Sequence, residues 1–320
     1  MTRPATLLAG LLLLALPLSL LAGQVWIDPF GPPVRNAVPI LMELRAPRAV
    51  LALLVGGGLG AAGAAMQGYL RNPLADPGLF GVAPMAALGA VLSFYTGYAV
   101  QPFALPVFAL AGGALAMGLL ALIAGRGAGI ALFTLAGMMI ASLAGALTSL
   151  AISLSPNPFA LSEIVTWLMG ALADRGWRDV ALAAPPTLLG LALLARTGRS
   201  LDALTLGEAA ARSLGVDPVR LQWLLAAGVG CLVGAGVAVA GIIGFVGLIV
   251  PHMVRPFTDG RPSALLLPSA LAGALLLLLA DCLCRLVPLP GGELRLGIAL
   301  SLAGAPFFLH LLLRLRREVA

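Results

Sequence analysis

Residues 49–70 read AVLALLVGGGLGAAGAAMQGYL, a run of 22 residues without an acid or a base, bounded by Arg45 and Arg48 on one side and Arg71 on the other. At a rise of about 1.5 Å per residue, a helix of this length crosses the roughly 30 Å hydrocarbon layer of a bilayer. Its composition argues for lipid as solvent. Glycine weakens a helix in water, whereas in a membrane small residues let helix backbones approach one another.

Outward from this run the pattern repeats along the whole chain. The 320 residues are 60% hydrophobic and 10% charged, with a mean hydropathy of +1.05 and 40 glycines. Water cannot solvate most of such a surface, so the fold class is an all-α integral membrane protein. Apolar runs between charged or Pro/Gly-rich breaks predict ten spans, near 5–26, 49–70, 79–99, 103–124, 130–154, 180–196, 221–241, 242–256, 264–284 and 296–313. The eighth is short, and its separation from the seventh rests on the glycine-rich stretch Gly241 to Gly247. The first run exceeds the roughly 7–15-residue core of a secretory signal and is expected to stay as a helix. A single transmembrane domain over 1–320 is expected, with residues 197–220 forming a cytoplasmic loop within it.

All 19 basic residues are arginine, and the pI is about 10.2. In a membrane protein this balance reports orientation rather than nucleic-acid binding. With both termini cytoplasmic, 12 arginines fall inside, among them Arg3, Arg126, Arg314, Arg316 and Arg317, and 7 outside, among them Arg35, Arg45, Arg48 and Arg285. None of the charged residues falls in the middle third of a predicted span. Ion-coupled secondary transporters place ionisable groups there, so that class is disfavoured. A chain without lysine cannot carry the phosphate-binding G-x-x-x-x-G-K-[ST] loop, and it has no H-E-x-x-H for a membrane metalloprotease. It is therefore expected to be non-catalytic and to bind no cofactor. The three cysteines, Cys231, Cys282 and Cys284, have no metal-site spacing and are expected to pack as small apolar residues.

The longest inside connection, Arg196 to Arg220, carries soluble-helix grammar. Thr205-Leu206-Gly207-Glu208 has the form of a capping box and predicts a short helix over about 206–214. Gly215 suits a left-handed stop, and Asp217-Pro218 caps and opens the next helix.

At this loop the chain resembles a known family. Ser200 to Val216, reading SLDALTLGEAAARSLGV, is similar to the coupling loop of the ATP-driven permeases that import iron siderophores, haem and cobalamin. Further resemblances follow in order: Leu44-Arg45-Ala46-Pro47-Arg48, then Gln67 with Arg71-Asn72-Pro73-Leu74-Ala75-Asp76-Pro77, Trp167-Leu168-Met169-Gly170, Gly244 to His252, and Gly304-Ala305-Pro306-Phe307. Three places depart from the family pattern: Asp259-Gly260-Arg261, Arg295 after Glu293-Leu294, and Pro84 in Gly81-Val82-Ala83-Pro84.

The resemblance implies ten transmembrane helices per subunit in a type II ABC importer permease, working as a homodimer in the bacterial inner membrane with the path between the two copies. It implies two ATP-binding cassette subunits holding ATP and magnesium, and a periplasmic substrate-binding protein. The expected cargo is a ferric siderophore or related iron chelate, with haem or cobalamin as the alternative. The ATPase-coupling residues it implies are Leu201, Asp202, Leu204, Leu206, Gly207, Glu208, Ala211, Leu214 and Gly215. Arg45, Arg48 and Arg285 are implied to receive carboxylates of the binding protein.

Physical chemistry supplies plainer partners for those arginines. Arg45 and Arg48 precede a helix, whose positive dipole end disfavours them unless an anion such as Glu43 lies near, and Arg285 has Asp281 at i−4. Met66, Gln67, Met138, Met169 and His252 are candidate pathway or gate residues, with core packing the competing expectation for the methionines. Two histidines far apart in sequence do not make a haem or metal site.

Overall fold

The computed structural model describes all residues except 1–2, 24, 29–35, 102, 125–129, 156, 290–291 and 320. Arg35 and Arg126, used in the orientation argument, lie outside the described residues. In chain order the helices are α1 (Arg3–Leu21), α2 (Ala37–Pro39), α3 (Ala46–Leu70), α4 (Val82–Tyr95), α5 (Ala104–Ala124), α6 (Ile130–Ser153) and α7 (Pro158–Leu168). They continue with α8 (Trp177–Ala195), α9 (Gly198–Leu204), α10 (Glu208–Ser213), α11 (Pro218–Ala240), α12 (Val246–Val254), α13 (Pro262–Leu286) and α14 (Leu296–Val319). A hairpin of two-residue strands, β1 (Pro288–Leu289) and β2 (Gly292–Glu293), joins the last two.

Among the described residues seven helical segments are long and apolar enough to cross a membrane, and Val82–Tyr95, Pro158–Leu168 and Leu296–Leu311 are shorter apolar stretches of helix. The predicted span at 242–256 contracts most, to the nine residues of α12. Gly241 and Phe245 both take positive φ, 70° and 67°, and the chain between α11 and α12 is non-helical. The helix α7 lies between two predicted spans. Its start is local chemistry: the Asn157 side chain accepts from Ala160 N at 2.8 Å and Pro158 occupies the first turn, where its missing N–H costs nothing.

The helix containing the 49–70 run begins earlier than the apolar pattern suggests, because α2 leads through a π-helical turn, Ile40–Arg45, directly into α3. Pro47 explains the wide turn. It has no N–H to return to the carbonyl of residue 43, and its ring presses on that carbonyl, a conflict that a π turn accommodates.

The core is built around α3 and α11, which are buried over most of their length, while α1, α6 and α8 bury few of their residues. The most extensive packing is that of α3 on α13. A Cβ at Gly56 would overlap the carbonyl oxygen of Gly273, and one at Gly60 that of Ser269, so the two backbones touch. Gly63 meets Gly247 of α12 in the same way. These contacts are the use for the glycines that the sequence makes so conspicuous. Leu225, Val229 and Leu232 of α11 are buried in the same core. By contrast α6 buries only Phe133, Ala136, Gly137, Ile140 and Ala144, and exposes Leu143, Leu147 and Leu150.

Candidate functional site

The connection from α8 to α11 is two short helices rather than one. The helix α9 forms because Leu201 and Leu204, three apart, are both buried against the bundle. It ends at Thr205, whose hydroxyl donates back to the Asp202 carbonyl at 2.7 Å. The capping box predicted for Thr205 and Glu208 therefore does not form. Gly207, at φ 101°, is the residue that precedes α10, and Glu208 is its first residue rather than its third. The left-handed conformation at 207 is one that a side chain resists, which explains why the helix restarts there.

The end of the loop follows the sequence reading. Gly215 has φ 84°, Val216 N donates to Ala211 O at 3.0 Å, and Asp217 accepts from Val219 N at 2.9 Å and Arg220 N at 3.3 Å, with Pro218 in the first turn of α11. Ala211 is buried. The loop is tied to the bundle a second time through Asp202. Its Oδ1 accepts from Ser263 N at 2.9 Å and its Oδ2 from the Ser263 hydroxyl, so a carboxylate of α9 caps the start of α13. Two leucines point away from this clamp: Leu206 is 68% exposed and Leu214 64%. Of the nine coupling candidates, then, Leu201, Asp202, Leu204 and Ala211 fasten the element, Gly207 and Gly215 set its shape, Glu208 opens α10 without capping it, and Leu206 and Leu214 are presented outward.

At the other end of the molecule Arg45, Arg48 and Arg285 are engaged within the chain. Arg45 is 7% exposed, and its guanidinium donates to the carbonyls of Leu20 at 2.8 Å, Leu21 at 2.9 Å and Val25. The partner of this cation is thus the negative end of α1, not the Glu43 carboxylate expected beside it. Arg48 Nε lies 2.9 and 3.0 Å from the two oxygens of Asp281, and Nη1 lies 2.7 Å from Glu293 Oε2. Arg285 pairs with Asp281 at 3.2 Å, as the i,i+4 spacing predicts, and donates to Ala22 O at 3.2 Å. These side chains sew α1, α3, α13 and the hairpin into one corner. Sequence reasoning missed the long-range pair of Arg48 and Asp281, which are separated by 233 positions.

The pathway candidates separate. Met66 is fully buried and belongs to the core. Gln67, also buried, donates to Leu248 O at 3.2 Å and accepts from Arg255 Nη2 at 3.0 Å, linking α3 to α12. Met138 and Met169 are exposed by 49% and 40%, and His252 meets Phe307 of α14 edge to face, with ring centroids 6.1 Å apart. Cys282 and Cys284 are buried and Cys231 is partly buried. Among the described residues no cluster of His, Cys, Asp and Glu could hold a metal ion. Outside the spans, the half-buried Asp76 carboxyl is pushed above its ordinary range by desolvation, against the opposing effect of Gly78 N–H, which it accepts at 2.8 Å.

A close-packed bundle of long apolar helices, with a clamped and capped helical loop at one end, is the build of a helical membrane protein. The FecCD transport family matches residues 11–314, and the chain belongs to that family. It is 40% identical over 318 residues to the vitamin B12 import system permease protein BtuC of Vibrio cholerae, covering 98% of this chain and 94% of that protein. It is also 40% identical over 278 residues to the Fe(3+) dicitrate transport system permease protein FecD of Escherichia coli K12, covering 87% of this chain and 86% of the relative. A solved chain from an inward-facing ABC transporter assigned to the metal-chelate type superposes with a TM-score of 0.89 at 32% identity, covering 97% of this chain and 98% of that one.

Proposed function

We propose that the protein is the membrane-spanning subunit of a binding-protein-dependent ABC importer that moves a metal chelate into the cytoplasm. The observation that carries this reading is the 198–215 element, locked to the bundle by Asp202, Leu201, Leu204 and Ala211 while holding Leu206 and Leu214 out to solvent. A rigidly fastened element with exposed apolar residues suits a partner that pushes on it. ATP and magnesium belong to that partner, two copies of an ATP-binding cassette subunit, and this chain performs no chemistry.

In this reading the chain spans the inner membrane ten times, with both termini cytoplasmic and the type II arrangement. The short helices α4 and α12 then count as spans, completed by the residues beside them, and α14 is the tenth. Two copies assemble as a homodimer around the path. The exposed apolar faces of α6 and α14 support an interface and a path there, with Met138 and His252 near it. A periplasmic binding protein delivers cargo to the opposite end, where Arg45, Arg48 and Arg285 contribute by holding the α1–α3–α13 corner in shape.

For cargo, a ferric siderophore or related iron chelate is the first reading, supported by the ferric dicitrate relative. Cobalamin is the second, supported by the vitamin B12 relative, which spans more of the chain, and haem follows from the resemblance alone. Mass spectrometry of what the cognate binding protein carries separates them: an iron chelate is expected, and a corrinoid would move the assignment to the second reading.

A further inference from the structure

Beside the coupling element lies a small cavity of about 190 Å³, lined by the last turn of α3, the turn after it, Thr205, and the residues leading into α13. Two of its lining residues are Arg71 and Arg255, and no acid lines it. The nearby carboxylates are committed elsewhere: Asp202 to Ser263, and Asp259 to Arg261 at 3.5 Å and to the Arg261 N–H at 3.2 Å. Gln67 holds Arg255 by one nitrogen, Nη2, while the Nε of Arg255 is buried without a hydrogen-bond partner. Asn72 also lines the cavity, and because its Oδ1 is taken by Leu74 N at 2.9 Å, its amide donors are what remain to offer. Arg71 is exposed, held at the lip by a left-handed backbone turn with φ 48°.

A cavity lined by two guanidinium groups and an amide donor, with no acid among its lining residues, suits an oxyanion. Its setting narrows the source. Thr205 on its wall is followed by the exposed Leu206, and an apolar contact flanking a charged socket is the anatomy of a protein interface rather than of a site for a free ion.

We propose that this cavity receives an aspartate or glutamate carboxylate of the ATP-hydrolysing partner, bound between Arg71, Arg255 and Asn72. The socket couples the partner to α3 and α12 directly, in parallel with the contact through Leu206. This inference rests on the importer reading above.

The test measures the affinity of the detergent-purified permease for its ATPase subunit, at low and high salt, for the wild type, Arg71→Glu and Arg71→Lys. Because Arg71 is exposed, neither variant threatens folding. The Glu variant is expected to lose about tenfold in affinity at low salt, with most of the difference gone at high salt, while the Lys variant stays near wild type. Equal affinity of wild type and Arg71→Glu at both salts overturns the proposal. So does a thermal stabilisation of the isolated permease by inorganic phosphate that is lost in Arg71→Glu while ATPase affinity is unchanged, which would make the cavity a free-anion site. A wild-type permease that binds no ATPase overturns the importer reading itself, and this inference falls with it.

Discussion

Arg48 and Asp281 form a two-pronged ion pair between α3 and α13, with Nε 2.9 and 3.0 Å from the carboxylate oxygens and Nη2 2.8 Å from Oδ1. Asp281 is fully buried, and Arg285 shares it at 3.2 Å. One carboxylate therefore answers two guanidinium groups. Replacing Asp281 by alanine leaves both cations buried with reduced compensation and is expected to cost about 3–5 kcal/mol. Glu293→Gln, at the more open end of the same network, is expected to cost less than about 1 kcal/mol. Thermal unfolding of the detergent-solubilised variants measures the difference, and equal melting temperatures would show that Asp281 does not hold this corner.

How much of this was readable in the sequence varies with the range of the interaction. The 49–70 helix, the Gly215 stop and the Asp217-Pro218 start were legible because each is decided within a few residues. The pairing of Arg48 with Asp281 was not, since nothing local to either residue names the other. The coupling loop shows the intermediate case. Thr205 to Glu208 carries a capping pattern, yet burial of Leu201 and Leu204 pulls the preceding residues into α9 and converts Thr205 from a helix start to a helix end. The start of α12 was legible only in part: the glycines from Gly241 to Gly247 mark the break after α11, but the positive φ of Phe245, which delays the helix to Val246, has no signal in its apolar surroundings.

The glycine contacts predict a sharp contrast between positions. Gly60→Val and Gly63→Val would drive side chains into the backbones of α13 and α12, and each is expected to cost at least about 1–3 kcal/mol and to lower the yield of monodisperse protein. Gly10→Ala, on exposed α1 with nothing within 4 Å of the new carbon, is expected to change neither. Size-exclusion profiles of the three variants make the comparison, and a well-behaved Gly60→Val would argue against the α3–α13 contact.

The Asp202–Ser263 tie predicts a separation of stability from coupling. Asp202→Ala removes a cap from α13 and is expected to cost about 1 kcal/mol, leaving an inserted, folded permease. Its effect on stimulation of the ATPase should be larger than that small loss implies, because the loop then moves independently of the bundle. Unchanged stimulation at unchanged assembly would mean that the tie transmits nothing.

Asp76 gives the pH dependence. Its carboxyl is pushed above the ordinary value in the folded protein, so in the window above that ordinary value the folded state binds more protons than the unfolded state, and stability falls as pH rises through it. Asp76→Asn keeps an acceptor for Gly78 N and is expected to flatten this slope. Melting temperatures across the mildly acidic range, compared with those of the wild type, check the sign; an unchanged slope would assign it to another group.

The proposed orientation rests on Arg314, Arg316 and Arg317. A reporter fused after residue 320 is expected to be active in the cytoplasm, and one that reports the periplasm would reverse every assignment of inside and outside.

The central claim is that transport through this chain is powered by ATP hydrolysed on another. It is tested most directly by reconstituting the permease with its ATPase and binding protein in liposomes without ion gradients, and following chelate movement with native ATPase and with a hydrolysis-dead variant. The account predicts movement only with ATP and the native ATPase, and its loss on disabling hydrolysis. Movement that persists with the dead ATPase and follows an imposed proton or sodium gradient would contradict it.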